Sequence, residues 1–170
     1  MLDLGGRYHQ VAYVTNDIER GLDIFATEYG MPRFFRIATA DLPDPDGAMP
    51  SFLIAFARVR GIEIEIIQPI SGPEPLFSDM FLSRLPKDGG FGMYLHHMAV
   101  MVSGGLDDWE RYRAGIDQTQ HPIVFSAAVA DRQRLMFTDD RRRLGHFIEH
   151  VWMSPEHRQF LDSVVPNYPT

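Results

Sequence analysis

Apolar side chains that alternate along short stretches, or recur every three to four residues along longer ones, divide the chain into strands separated by helices. Alternation predicts a first strand over about Tyr8 to Thr15. Ile18, Leu22, Phe25 and Tyr29 then recur at helical spacing, so a helix over about Ile18 to Tyr29 is predicted, capped by Asn16 or Asp17 and ended at Gly30. Arg33 to Ala38 reads as a second strand. Asp41 to Pro50 reads as a turn-rich loop, because Pro43, Pro45 and Pro50 break it and no apolar period runs through it. Ser51 to Val59 and Ile62 to Gln68 read as a hairpin around Arg60-Gly61. Its return strand puts Ile62, Ile64 and Ile66 on one face and Glu63, Glu65 and Ile67 on the other.

Pro69 to Gly90 is a proline- and glycine-rich link in which Leu76 to Leu85 is spaced like a short helix. The central strand follows, Gly92 to Val102, with adjacent histidines at its start. Successive side chains in a strand point to opposite faces, so His97 lies with Leu95, Ala99 and Met101, and His96 with Met98, Val100 and Val102. Gly104-Gly105 precedes a helix over Leu106 to Gly115 that opens on Asp107 and Asp108, where carboxylates suit the helix dipole. Three strands are predicted after it, Pro122 to Ala130, Arg134 to Thr138 and Leu144 to Trp152, with the charged run Asp139 to Arg143 as a solvated turn. Ser154-Pro155 starts a last helix to about Val165.

This succession contains a repeat. His9-Gln-Val-Ala-Tyr-Val14 corresponds to His96-His-Met-Ala-Val-Met101, with Gln10 in the place of His97 and an alanine two residues on. Each copy continues into a helix and finishes in an apolar strand with an embedded glutamate, Glu65 in the first and Glu149 in the second. Gln10 to Glu65 is 55 positions and His97 to Glu149 is 52, closer offsets than unrelated polar residues usually share. Taken singly, Glu65 is either a cavity residue or a half-exposed surface glutamate. His9, His96, His146 and His150 fall on the opposite face, where packing or surface roles are expected.

Composition narrows the class. With 45% hydrophobic and 12% aromatic residues, the chain can bury a core. Sixteen Lys and Arg against 23 Asp and Glu leave a formal charge of -7, which disfavours nucleic acid as a partner. Without cysteine there is no disulfide, thiolate nucleophile or zinc–thiolate site. The first residues lack a basic, apolar leader pattern, and no apolar run approaches 18 residues, so neither secretion nor a membrane span is expected and a cytoplasmic location is.

The four strings His9-Gln-Val-Ala-Tyr-Val, Glu65-Ile-Ile-Gln-Pro69, His97-Met-Ala-Val and Gly145-His-Phe-Ile-Glu-His150 resemble, in type and order, those of the vicinal oxygen chelate superfamily. That group includes glyoxalase I, methylmalonyl-CoA epimerase, extradiol dioxygenases and bleomycin-resistance proteins. The resemblance covers roughly residues 8 to 153 and implies an α+β fold: two tandem βαβββ modules with curled mixed sheets around a metal and substrate cavity, plus a C-terminal helix. The boundaries expected are residues 1–74 for the first module, 75–90 for a linker with a short helix, 91–153 for the second module and 154–170 for the C-terminal helix and tail.

The resemblance also implies a site. Gln10, Glu65, His97 and Glu149 match the positions that supply metal ligands, two from each module, and would hold one divalent ion per site (Zn, Ni, Co, Mn or Fe). Ala12 and Ala99 would leave room beside it. Glu149 is the leading catalytic base and Glu65 its acid/base partner, in a lyase or isomerase that moves a proton next to a carbonyl through an enediolate or enolate. Gln10 stands where the ring-cleaving dioxygenases have histidine, which puts oxygen chemistry behind proton transfer. Sequestration of a small molecule, in the bleomycin-resistance manner, is the alternative. The expected partner is a small carbonyl compound, hydrophobic or a thioester. Phe35, Phe52, Phe56, Met101, Phe125, Phe137 and Phe147 are candidates to line the cavity, and Arg33, Arg36, Arg58 and Arg60 are available for an anionic carrier. A homodimer is expected if Leu76 to Leu85 leaves an apolar patch exposed.

Overall fold

The computed structural model describes residues 6–39, 51–71, 76–77, 83–86 and 88–169. The first βαβββ succession consists of β1 (Gly6–Thr15), α1 (Ile18–Glu28), β2 (Phe35–Ala38), β3 (Ser51–Val59) and β4 (Ile62–Ser71). The second consists of β5 (Met93–Val102), α2 (Leu106–Ala114), β6 (Ile123–Val129), β7 (Gln133–Thr138) and β8 (Phe147–Met153), with a helical turn α3 (Arg141–Leu144) before its last strand. Helix α4 (Pro155–Val164) and a two-residue strand β9 (Asn167–Tyr168) follow. The α+β class and the doubled βαβββ order are therefore as the resemblance implies. Among the described residues no helix is long and apolar enough to cross a membrane.

Two compact units form, each assembled from separated stretches: Val11–His96 with Val165–Thr170, and Met1–Gln10 with His97–Val164. In the first, the strands run in the order β2-β3-β4-β1, and β9 lies parallel to β3. Asp17 caps α1, its Oδ1 accepting from Arg20 N at 3.1 Å, and Gln68 Oε1 accepts from Ile18 N at 2.8 Å. With two of its first amides bonded, α1 lays Ile18 and Phe25 on Ala55, Ala57 and Ile66 of the strands. Ile64 packs against the same cluster. Arg60 and Gly61 both have positive φ, 51° and 79°, which is what a two-residue turn with the twist of a hairpin demands.

Several positions depart from the periodicity. Tyr29 is 65% exposed, because the helix ends at Glu28 and the chain turns away at Gly30 (φ 69°). Ile62 is 38% exposed beside the turn, whereas Glu63 is buried and held 2.9 Å from Arg58 Nε by its cross-strand partner. β4 runs on to Ser71 and includes Pro69, next to a bulge at Ser51/Phe52 where a missing donor is tolerated. The loop Asp41 to Pro50 and most of the helix predicted over Leu76 to Leu85 lie outside the described residues. Leu76 and Phe77, which are described, are buried, with Phe77 stacked on His96 at 4.5 Å and tilted against Phe52 at 4.8 Å.

The second unit orders its strands β5-β8-β7-β6. β5 and β8 pair in parallel, and β8, β7 and β6 pair antiparallel. Val102, Met136 and Trp152 meet Trp109 and Ile116 in its core, so α2 covers the face of the strands that carries the even-numbered residues. The last strand starts at Phe147, not Leu144. Arg141–Leu144 closes into a helical turn terminated by Gly145 at φ 82°, which leaves Leu144 54% exposed.

Candidate metal centre

The face of the second unit's strands turned away from α2 carries His97 on β5, Phe137 on β7 and Phe147 and Glu149 on β8. The register follows from the pairing: His97 opposes Phe147, Ala99 opposes Glu149, and Phe137 opposes Glu149 from the other side. Ala99 is fully buried and has no side chain beyond Cβ, so the imidazole and the carboxylate can approach over it. His97 Nε2 lies 3.3 Å from Glu149 Oε2, both side chains nearly inaccessible. The His97 ring stands edge-on to Phe137 at 4.9 Å, Phe137 is at right angles to Phe147 at 6.5 Å, and Phe125 packs on Phe137 at 6.1 Å. Aromatic rings thus flank the pair along β6, β7 and β8, and burial beside them strengthens any charge interaction made there.

Of the four residues implied by the resemblance, His97 and Glu149 are brought together. Gln10 is buried at the point where β1 leaves the same unit. Glu65 is buried on β4 of the other unit, opposite Phe56, which settles its burial in favour of an interior position. Arg141 was expected in a solvated turn. Instead its guanidinium sits 4.5 Å over the Phe147 ring and pairs with Asp139 at 2.6 Å, holding the Asp139 carboxyl below the usual range.

The opposite face of β7 and β8 holds polar residues that periodicity alone leaves without a role. His150 is fully buried: its Nδ1 lies 2.7 Å from Tyr112 Oη and its Nε2 lies 3.1 Å from Thr138 Oγ1. Thr138 Oγ1 donates to Asp140 Oδ2 at 2.8 Å, and Asp140 Oδ1 is 2.6 Å from His121 Nδ1. Burial pushes the His150 imidazole down from 6.5 to about 4, against the pull of the Glu149 and Asp140 carboxylates. Because the folded value lies below the unfolded one, the unfolded chain takes up the proton first on acidification. The stabilisation is complete above about pH 6.5 and is lost as pH falls towards 4, up to about 3 kcal/mol. Urea unfolding of wild type and His150→Gln at pH 7 and pH 4.5 checks this: the difference between the two proteins should shrink at the lower pH. A difference independent of pH would contradict it.

No protein-family profile matches the chain, and no curated protein matches it in sequence. Solved structures do match. A hypothetical protein from Bacillus halodurans superposes with a TM-score of 0.57 at 16% identity, covering 88% of this chain and 95% of that one. Methylmalonyl-CoA epimerase from Mycobacterium tuberculosis matches at 0.56 and 14% identity over 91% of both chains. A variant of the Streptomyces coelicolor methylmalonyl-CoA epimerase in complex with 2-nitronate-propionyl-CoA matches at 0.57 and 11% identity, covering 88% and 96%. The chain has the vicinal oxygen chelate fold. Within that fold its structural neighbours include epimerases and a protein described only as hypothetical.

Proposed function

We propose that this protein is a metal-dependent isomerase or lyase that moves a proton on the carbon beside a substrate carbonyl. The observation that carries the reading is the buried 3.3 Å approach of His97 Nε2 to Glu149 Oε2. An imidazole nitrogen and a carboxylate oxygen converging beside aromatic rings suit a divalent ion with mixed N/O ligands. Glu65, His97 and Glu149 are all buried and are of the types that could hold such an ion. The repeat adds Gln10 as the fourth ligand. The ion would supply a Lewis acid that polarises the carbonyl and stabilises charge formed on proton removal.

The chain's own residues do the rest. Glu149 takes the proton from carbon, and the aromatic rings of Phe137 and Phe147 keep water from competing for it. Glu65 returns a proton. Return to the same carbon from its other side inverts the centre, and return to the neighbouring atom isomerises the compound. The epimerase structures of similar fold that are described in complex with methylmalonyl-CoA or 2-nitronate-propionyl-CoA favour an acyl thioester among carbonyl substrates.

The test has two stages. Metal-stripped protein offered zinc, nickel, cobalt and manganese separately should take up about one ion per chain in calorimetric titration. The loaded protein in deuterated water should then incorporate deuterium next to the carbonyl of an acyl-CoA thioester, a 2-oxoaldehyde thiol adduct or a hydrophobic hydroxy-ketone, followed by NMR. Tight binding of one of these by metal-free protein, with no exchange in any, would replace the enzyme reading with sequestration.

A further inference from the structure

The buried chain of side chains behind Glu149 has a defined direction. Thr138 Oγ1 gives its one proton to Asp140 Oδ2, so its contact with His150 Nε2 requires the proton to be on the nitrogen. With Nε2 protonated, Nδ1 of the neutral ring is an acceptor, and Tyr112 Oη–H donates to it. Asp140 accepts at both oxygens, from Thr138 and from His121. Five side chains from α2, β7, β8 and the segments flanking β6 and β7 are thereby locked with one tautomer and one polarity. Such a network is all-or-none, because losing a central member leaves buried donors and acceptors unmatched on both sides.

Its location gives it a purpose. Thr138 and His150 are the immediate chain neighbours of Phe137 and Glu149, and alternation puts the two pairs on opposite faces of the same two strands. Strand register is what places Phe137 against both the His97 ring and Glu149. Thr138 and His150 are also not directly opposed: Met136 faces His150, and Thr138 faces Ile148. Their hydrogen bond is therefore diagonal and fixes the offset between the strands as well as their pairing.

We infer that Tyr112, His150, Thr138, Asp140 and His121 form a positioning network that sets the place of Glu149 relative to His97 from behind the sheet. It rests on the metal reading above for its functional consequence, and on the pairing of β7 and β8 alone for its structural one. His150 here is a positioning residue and touches neither ion nor substrate.

Thr138→Val removes the hydroxyl at the centre of the network with little change of shape; Thr138→Ser keeps it; Tyr112→Phe removes only the terminal donor, at a half-buried site, and serves if Thr138→Val does not fold. Each is titrated with cobalt(II), followed by its visible absorption, and crystallised without metal. Thr138→Val and Tyr112→Phe should bind cobalt about 10–100-fold more weakly with an altered spectrum, as loss of outer supports does at metal sites, and Thr138→Ser should restore both. In the crystals the His97 Nε2 to Glu149 Oε2 distance should depart from 3.3 Å in the first two and return to it in the serine variant. A purely structural network would lower melting temperature and leave spectrum, affinity and distance unchanged, which overturns the inference. Failure of the wild type to bind cobalt would sink the metal reading, while the crystallographic distances still decide the positioning role.

Discussion

Replacing His97 with alanine is expected to lower divalent-ion affinity by more than about 100-fold, beyond the 10–100-fold typical of losing an outer support. The substitution removes the only nitrogen donor in the proposed set and leaves Glu149 facing a space bounded by Phe137 and Phe147. His96→Ala is the matched control, because its ring is just as buried and lies one residue away on the opposite face. That variant loses the 2.9 Å contact with Leu76 O and the stack on Phe77, which should cost about 1–3 kcal/mol of stability while sparing the ion. Thermal melts with and without zinc separate the two effects. Wild type and His96→Ala should each be raised by zinc, by about 2.7 kcal/mol at a hundredfold excess over the dissociation constant, and His97→Ala should not respond. Equal zinc responses from all three proteins would remove His97 from the site.

Glu149→Gln should lower turnover by about 10²–10⁴-fold, the range attributed to general-base catalysis, with fold and part of the metal affinity retained. Glutamine has nearly the same shape and fits the space over Ala99, and its amide oxygen can still ligate weakly. It has almost no basicity, so proton abstraction is the step that fails. Glu65→Gln distinguishes the two carboxylates. If each serves one side of the substrate, this variant should stop inversion yet still exchange the proton that faces Glu149, a result visible as deuterium uptake with retained configuration. Exchange by Glu149→Gln at the wild-type rate would assign the base elsewhere.

The sequence was informative wherever a local rule decides. Alternation around His96-His97 assigns one histidine to each face, and the repeat pairs His97 with Glu149 before any strand pairing is known. The buried Glu63 was within reach too: a two-residue turn at Arg60-Gly61 makes Val59 oppose Ile62 and therefore Arg58 oppose Glu63, a pair that can be buried together. What stayed hidden depends on register between strands whose connection fixes no offset. The diagonal from Thr138 to His150 crosses a helical turn, and nothing in the charge run Asp139 to Arg143 indicates that Arg141 will fold back over Phe147. Tyr29 shows the limit of periodicity at an element's end, where Gly30 redirects the chain before the last apolar position can be used.

The course of the chain between its two units has a consequence for how the protein is made. It leaves one unit within β1, after Gln10, leaves the other within β5, after His96, and returns after Val164 to add β9 beside β3, where Tyr168 Oη donates to Arg33 O at 2.8 Å. Neither unit is therefore a continuous stretch of chain. The stretch 11–96 gains β9 only once residues 165–169 are made, and β1, made first, gains its neighbour β4 only once Ile62–Ser71 are made. Contacts so distant in sequence slow folding and prolong the time during which strand edges are bare. The edge of β3 beside which β9 lies is therefore expected to stay bare until residues 165–169 have been made.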